Sequence, residues 1–247
     1  MNDRGAFLKG KTAVVTGASG GIGEAICKKL AGEYKMNLLI TGRNAEKLHA
    51  LAEVLREYGV RIAECIGDLS ELSFVDEIIK TSSEVFGGID VLINNAGLSH
   101  KCGFEEMTPK LFDSIMLVNV RAPYFVCQKA LKLLRNSACA TVINICSVTA
   151  HKGYPGQSVY AASKHALLGL TKSLANEVYD QNIRVHAISP GGVFTPMVAI
   201  TRPELTPEGM ILPEDIANIA GFYLENRLSN AVVDEIEVHR MNKEPFA

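Results

Sequence analysis

Short runs of β-branched and aliphatic residues alternate along this chain with longer stretches in which apolar residues recur every three or four positions. The short runs are typical of strands buried on both faces, and the longer stretches are typical of amphipathic helices. The pattern predicts about seven strands, at residues 12–16, 37–41, 61–66, 91–94, 141–146, 183–188 and 232–239. Such alternation predicts an α/β fold, a doubly wound parallel sheet of the Rossmann type with helices on both faces.

Several predicted helices carry their own boundary signals. Asn44 is placed to cap a helix over residues 45–58. Ser70 is placed to cap the next helix, which would run to Phe86. No linker, repeat or low-complexity segment interrupts the sequence, so we expect a single domain over residues 1–247.

A glycine-rich stretch follows the first predicted strand, with the sequence Thr16-Gly17-Ala18-Ser19-Gly20-Gly21-Ile22-Gly23. Strand, tight turn and helix in this order are the setting in which a dinucleotide pyrophosphate meets backbone N–H groups at a helix N-terminus. Glycine suits such a turn because the backbone angles are unusual and the pyrophosphate must come close. The stretch predicts a dinucleotide site, and the alternative is a glycine-rich turn that binds nothing.

The end of the second predicted strand indicates which dinucleotide is bound, because the adenosine ribose lies beside it. Sites specific for NAD place a carboxylate there, yet residues 36–44 include no acidic residue. The strand ends at Thr41-Gly42-Arg43, and a guanidinium is suited to the 2′-phosphate of NADP. We therefore expect NADP(H), with NAD(H) as the alternative if Arg43 is only an exposed loop charge.

Charge and cysteine content narrow the class of partner. The 25 Lys and Arg and 27 Asp and Glu residues are scattered, without the basic stripe that nucleic acid or an anionic membrane would require. The six cysteines form no C-x-x-C pair and no metal-like spacing, so we expect reduced core thiols and no metal site. The first residues lack the apolar stretch of a secretory signal. We expect a cytoplasmic protein that acts on a small molecule.

A tyrosine and a lysine four residues apart, Tyr160 and Lys164, stand near the start of a long predicted helix. This spacing puts both side chains on one helix face, where an ammonium favours the phenolate form of a tyrosine. At about 4 Å and an effective dielectric near 20, an ion is worth about 4 kcal/mol, which matches the ~3 pH units separating a free phenol from neutrality. Ser147 and Asn94-Asn95-Ala96-Gly97 follow two predicted strands and would reach the same sheet edge. These groups are suited to acid–base chemistry on a substrate oxygen.

Several motifs follow one another over about residues 11–195. In chain order they are the glycine loop, Asn94-Asn95-Ala96-Gly97, Asn119 with Ser147, the Tyr160/Lys164 pair and Pro190-Gly191. In this order they resemble the compact, single-domain branch of the short-chain dehydrogenase/reductase family. The resemblance implies hydride transfer between NADP(H) or NAD(H) and a carbonyl or alcohol substrate.

The resemblance also implies a role for each matching position. Tyr160 would be the catalytic acid/base, Ser147 would orient the substrate oxygen, and Lys164 would assist Tyr160 and hold the nicotinamide ribose. Asn119 would complete a proton relay through a water near Lys164, and Asp68 would bind the adenine amino group. Without the resemblance, Asn119 could equally cap or kink a helix, and Asp68 could begin a turn. Val193 and Thr195, in the turn after Pro190-Gly191-Gly192, would hold the nicotinamide carboxamide or a phosphate oxygen. The other expected cofactor contacts are Gly17, Ser19, Gly20, Gly21, Ile22, Gly23, Leu69, Asn95, Ala96, Gly97 and Pro190.

Two segments depart from the family pattern. Related reductases usually end in a Val-Asp-Gly-Gly-like strand, whereas this strand reads Val238-His239-Arg240, which argues against a carrier-protein-linked 3-oxoacyl reductase. Residues 196–212 are expected to form a short substrate lid, too rich in proline for a long helix. The resemblance further implies a homotetramer or homodimer, built through helices near 111–134 and 158–179.

Other functions fit parts of the pattern. An NAD-linked alcohol or hydroxy-acid dehydrogenase would use the same catalytic residues. A dinucleotide-sensing protein without chemistry would keep the fold, but the intact Ser147, Tyr160 and Lys164 argue against it. Sugar-nucleotide epimerases resemble longer chains with an added substrate domain, and no such segment exists here.

Overall fold

A seven-stranded parallel sheet forms the centre of the computed structural model, which describes residues 5–195, 198 and 206–243. The strands are β1 Thr12–Val15, β2 Asn37–Gly42, β3 Ile62–Ile66, β4 Val91–Asn94, β5 Thr141–Ile145, β6 Arg184–Pro190 and β7 Glu235–Val238. They lie in the order β3-β2-β1-β4-β5-β6-β7, so the strand order reverses between β1 and β4. The doubly wound parallel sheet predicted from the alternating pattern is confirmed.

Helices cover both faces of this sheet. They are α1 Gly21–Gly32, α2 Ala45–Arg56, α3 Leu72–Phe86, α4 Pro109–Met116, α5 Ala122–Leu134, α6 Ser158–Val178 and α7 Pro213–Glu225. Apolar residues of α1, α2 and α7 are buried against one face, and those of α3, α5 and the end of α6 against the other. Because both faces are covered, β1, β4 and β5 are buried along their whole length.

The helix boundaries test the predicted capping residues. Asn44 caps α2, because its Oδ1 accepts a hydrogen bond of 2.8 Å from the Lys47 N–H. The prediction that Ser70 caps α3 is wrong: the cap position is Glu71. The Ser70 N–H donates to Asp68 Oδ1 at 2.8 Å, so Asp68 builds a side-chain turn and delays the helix.

The last strand is shorter than the predicted 232–239. Val232 and Val233 are exposed, and the strand begins only at Glu235. The carbonyl of Val233 accepts a hydrogen bond from the ring of the buried His186 at 2.8 Å, so a side chain takes the place of a strand partner there. The cysteine prediction holds for the five buried thiols, while Cys102 is half-buried in the loop after β4.

Two expectations concern the limits of the described chain. The proposed lid at residues 196–212 lies outside the described residues except for 198 and 206–212. Within the described ranges, no helix combines the length and apolarity needed to cross a bilayer.

The buried side chain of His186 is expected to make the stability of the fold depend on pH. Its ring stacks on Tyr223 with 4.2 Å between centroids, and its Nε2 atom is buried without a partner among the described residues. Burial lowers the pKa of His186 to about 4, with a smaller contribution from the Arg184 charge, against a hydrogen bond to Val233 that raises it. Between pH 6.5 and 4 the unfolded chain therefore binds a proton that the folded chain does not. We expect stability to fall over this window by on the order of 3 kcal/mol.

Urea unfolding at a series of pH values measures this effect. His186→Phe keeps an aromatic ring against Tyr223 but cannot be protonated, so its stability should fall less steeply below pH 6.5. His186→Gln serves the same comparison if the larger ring fits poorly. Equal slopes for the wild type and both variants would contradict the prediction.

Candidate active site

Ser147 lies where β5 ends at the carboxyl edge of the sheet. Its side chain is buried and its Oγ accepts a hydrogen bond of 3.2 Å from the Thr149 N–H, at the start of a 3₁₀ turn over Val148–Ala150. Because that bond uses an oxygen lone pair, the Ser147 hydroxyl proton is left for another acceptor. The neighbouring Cys146 is not a competing nucleophile, since burial raises the pKa of its thiol to about 11.

Tyr160 and Lys164 lie one turn apart in the first half of α6, as the sequence spacing predicts. The Lys164 Nζ atom is 5.8 Å from the centroid of the Tyr160 ring. Lys164 is only 4% exposed, and its Nζ donates to the Ile145 carbonyl at 2.8 Å. The last residue of β5 therefore fixes the ammonium beside the tyrosine, a contact that the sequence motif did not reveal.

Asn119 interrupts the helix between α4 and α5. The chain forms a π-helical turn over Leu117–Arg121, and turns of this kind are frequent at functional sites. The Asn119 Oδ1 accepts from the Leu98 N–H at 2.7 Å, and its Nδ2 donates to the Leu98 carbonyl at 2.9 Å and to Ser163 Oγ at 3.0 Å. This side chain therefore braces the segment after β4 against α6.

Gly97 shows that these side chains converge. A Cβ atom at Gly97 would lie 3.5 Å from Asn119 Oδ1 and 3.6 Å from Lys164 Nζ. The structure thus brings Asn119, Gly97 and Lys164 together between the ends of β4 and β5.

The glycine loop leaves the N-terminus of α1 accessible to a ligand. Gly17 has φ +64°, and a Cβ there would meet the Ala96 Cα at 2.8 Å, so glycine is required on both counts. Gly20 is exposed, and α1 begins directly after it, where no side chain of the described part of the protein caps the first N–H groups. Those free donors in Gly21, Ile22 and Gly23 fit a pyrophosphate, which makes the loop a suitable dinucleotide cradle.

The residues after β4 hold this loop in place. The Asn95 Nδ2 donates to the Thr16 carbonyl at 3.1 Å and to the Gly17 carbonyl at 2.9 Å. The Thr16 hydroxyl accepts from the backbone N–H groups of Asn95 at 3.1 Å and Ala96 at 3.2 Å. Leu69 and Ala96 line a small cavity next to Thr16. The role of Thr16 was missed by the sequence reasoning, because its partners are distant in the chain.

Arg43 follows the end of β2, beside the glycine loop. Ser19 Oγ lies 3.0 Å from the position that a Cβ would take at Gly42, so the loop and this strand end are in contact. The Arg43 side chain is 63% exposed, and its Nη1 is 4.0 Å from Asp68 Oδ2. The pKa of Asp68 is lowered mainly by the hydrogen bond from the Ser70 backbone N–H and also by the Arg43 charge. An exposed guanidinium next to a carboxylate can therefore meet either the phosphate or the hydroxyl of a ribose.

The turn after β6 packs against the end of β7. The Gly191 N–H donates to the Val238 carbonyl at 2.8 Å, which extends the pairing of Pro190 with Val238. Val193 forms an isolated bridge with Ile211, and the Thr195 Oγ1 accepts from the Val198 N–H at 3.4 Å. The expected cofactor contacts Pro190, Val193 and Thr195 thus lie on one segment at the carboxyl edge.

A network of buried amides behind the site was also missed by the sequence reasoning. The Asn94 Nδ2 donates to Asn144 Oδ1 at 2.9 Å, and the Asn144 Nδ2 donates to Thr171 Oγ1 at 2.8 Å. Asn144 lies within a strand of apolar neighbours, so only the pairing of β4 with β5 reveals its partner.

Fold and site together define a class: a Rossmann-type α/β protein in which a glycine loop and a serine, tyrosine and lysine lie at the same edge of a parallel sheet. A family model described as short chain dehydrogenase matches residues 11–206. The chain belongs to this family of NAD(P)-dependent oxidoreductases.

Named relatives are similar over nearly the whole chain. A 3-oxoacyl-(acyl-carrier-protein) reductase of Rickettsia bellii is 35% identical, covering 90% of this chain and 92% of the relative. A 3α-hydroxysteroid dehydrogenase of Mediterraneibacter gnavus is also 35% identical, covering 93% and 95%. The solved L-sorbose reductase of Gluconobacter frateurii, in complex with NADPH and L-sorbose, is 28% identical with a TM-score of 0.86, covering 94% and 96%. The first two are equally similar to this chain but have different substrates, so similarity alone does not select the substrate.

Proposed function

We propose that this protein transfers a hydride between NADP(H) and a carbonyl or alcohol substrate, and works as a carbonyl reductase when NADPH is bound. The observation that carries the proposal is the placement of Ser147, Tyr160 and Lys164 beside the carboxyl ends of β4 and β5. The open glycine loop at the same sheet edge supports it, because a dinucleotide held there extends along this edge.

Each side chain has a role that its contacts support. Ser147 would donate a hydrogen bond from its hydroxyl to the substrate carbonyl oxygen and so orient it, while keeping its own proton. Tyr160 would deliver the proton that turns this oxygen into an alcohol, and Lys164 would stabilise the resulting phenolate. Asn119 would hold the segment around Leu98 in place against α6. NADPH, when bound, supplies the hydride, and the expected contacts from Gly17 to Thr195 would hold it.

The preference for NADP(H) rests on Arg43 and on the absence of a carboxylate between residues 36 and 44. Two similar solved structures support it. The L-sorbose reductase was solved with NADPH, and a metagenomic short-chain oxidoreductase with 29% identity and a TM-score of 0.82 was solved with NADP. Asp68 leaves room for the alternative, an NAD-linked alcohol or hydroxy-acid dehydrogenase, because its carboxylate lies close to the same guanidinium.

Arg43→Ala should weaken NADPH binding by roughly 10- to 100-fold and leave NADH binding nearly unchanged. The reason is that a charge-assisted hydrogen bond to a phosphate is worth about 1.5–3 kcal/mol. Arg43→Asp should go further and reverse the preference, because a second carboxylate beside Asp68 repels the 2′-phosphate. Fluorescence titration with each reduced cofactor measures both changes. An unaltered ratio of the two affinities in both variants would contradict the assignment.

A substrate panel tests the proposed reaction itself. Ketones, 3-oxo thioesters, hydroxysteroids and hydroxy acids are mixed with the purified protein and with each cofactor in its appropriate redox state. Absorbance of the reduced nicotinamide reports turnover in either direction. Turnover of any carbonyl compound with NADPH supports the proposal, whereas cofactor binding without turnover across the panel favours the dinucleotide-sensing alternative.

Assembly into a homotetramer or homodimer, which sedimentation would measure, stays a prediction from the family.

A further inference from the structure

A carboxylate on the last strand connects the turn after Ser147 with the end of β6. The Glu235 Oε1 accepts a hydrogen bond of 2.6 Å from the Ser189 hydroxyl and lies 2.8 Å from the His151 Nε2. Ser189 is fully buried, and the side chains of His151 and Glu235 are 27% and 18% exposed. A half-buried carboxylate that joins two neighbours at these distances forms strong, charge-assisted hydrogen bonds.

The two partners of Glu235 belong to different parts of the active site. His151 closes the 3₁₀ turn that begins at Ser147, where its N–H donates to the Val148 carbonyl at 3.1 Å. Ser189 immediately precedes the Pro190-Gly191 turn that leads to Val193 and Thr195. Glu235 therefore joins the 3₁₀ turn that follows Ser147 to the end of β6, which leads directly into the turn expected to hold the nicotinamide.

We propose that Glu235 is a positioning residue, which sets the distance between the carbonyl bound at Ser147 and the nicotinamide held by the turn after β6. The inference rests on the proposed function and deepens it. Hydride transfer requires the two reacting carbons to approach closely, and a misplacement of about 1 Å can cost on the order of 100-fold in rate. A bond to only one of these two segments would fix that segment alone, whereas the shared Oε1 fixes the Ser147 turn and the end of β6 relative to each other.

A second carboxylate on the same strand provides a matched control. The Glu237 Oε1 lies 3.7 Å from the same His151 Nε2. Glu237 stands two residues further along β7 and has no hydrogen bond to Ser189 among the described residues. It shares the charge, the strand and the histidine with Glu235, but it does not join the Ser147 turn to the end of β6.

The experiment compares Glu235→Leu, Glu235→Gln and Glu237→Leu with the wild type, using NADPH and the most active carbonyl compound of the panel. Glu235→Leu should lower kcat by roughly 10- to 100-fold, while the Kd for NADPH stays within a factor of about three. The kinetic isotope effect with NADPH deuterated at the transferred position should rise, because hydride transfer becomes slower than the other steps. Glu235→Gln should restore kcat to within a factor of about three, since its Oε1 can accept both hydrogen bonds.

His151→Leu keeps the test decisive if Glu235→Leu does not fold, because it alters a partly exposed surface side chain and releases only the turn after Ser147. It should also lower kcat and raise the isotope effect. The inference is overturned if Glu235→Leu or His151→Leu retains wild-type kcat, or if Glu237→Leu loses as much as Glu235→Leu. These results leave the proposed function intact as long as the wild type turns over. An inactive wild type removes both.

Discussion

Tyr160→Phe is expected to lower turnover by on the order of 10²- to 10⁴-fold, the range that general acid–base catalysis contributes. The substitution removes one hydroxyl and keeps the ring next to Lys164, whose Nζ remains fixed by the Ile145 carbonyl. Affinity for NADPH should change by no more than a factor of about three. Single-turnover measurements with saturating NADPH separate the chemical step from binding. Wild-type turnover in this variant would refute the assigned mechanism.

Tyr179→Phe is the matched control for Tyr160→Phe. Tyr179 directly follows the last residue of α6, is 77% exposed and lies about five helical turns from Tyr160. Turnover should be unaffected in this variant. Equal losses in the two variants would indicate a general effect of removing a hydroxyl rather than catalysis by Tyr160.

Gly23→Ala is expected to weaken NADPH binding by on the order of 100-fold. A Cβ atom at Gly23 would lie 2.4 Å from the Gly17 carbonyl oxygen and 2.6 Å from the Asn95 Nδ2, both closer than atoms can approach. The loop must therefore move by about 1 Å, which is enough to lose on the order of 100-fold wherever geometry is strict. Overpacking should also lower the free energy of unfolding by about 1–3 kcal/mol. Calorimetric titration and urea unfolding measure the two effects.

Gly20→Ala separates the steric effect at Gly23 from the general effect of losing a glycine. Its φ of −108° and ψ of 145° suit any residue, and the nearest atom to an added Cβ is the Gly17 carbonyl oxygen at 3.7 Å. The free energy of unfolding should stay close to that of the wild type. An equal loss of stability in both variants would contradict the steric argument.

The parts of the fold that local signals control could be predicted from the sequence. Strand positions followed from apolar runs, because a strand buried on both faces has no polar side. Asn44 capped its helix as expected, since a cap depends only on residues within one turn. Ser70 had the same local signal and failed, because the Asp68 carboxylate forms hydrogen bonds with both its N–H and its hydroxyl. A capping signal is therefore ambiguous where two oxygen-bearing side chains stand two residues apart.

The bracing of the candidate site could not be predicted, because its partners are far apart in sequence. The motif spacing identified Tyr160 and Lys164, but the Ile145 carbonyl that fixes the ammonium has no side-chain signature. The π-helical turn at Asn119 depends on hydrogen bonds to Leu98 and to Ser163, which only the packed structure supplies. Glu235 likewise stands in a strand whose unusual ending was visible, but its two partners became apparent only when β7 was paired with β6.

The hydrogen bonds that join the Thr16-Gly17 turn to Asn95 and Ala96 have a consequence for protein engineering. The two segments are almost eighty residues apart in the chain, yet neither has the correct shape without the other. A chimera could take its first βα unit from one family member and its fourth strand from another. It would then combine a turn and a strand end that do not come from the same protein and are not matched for these hydrogen bonds. Exchange of cofactor specificity by grafting should therefore transfer both segments as one module.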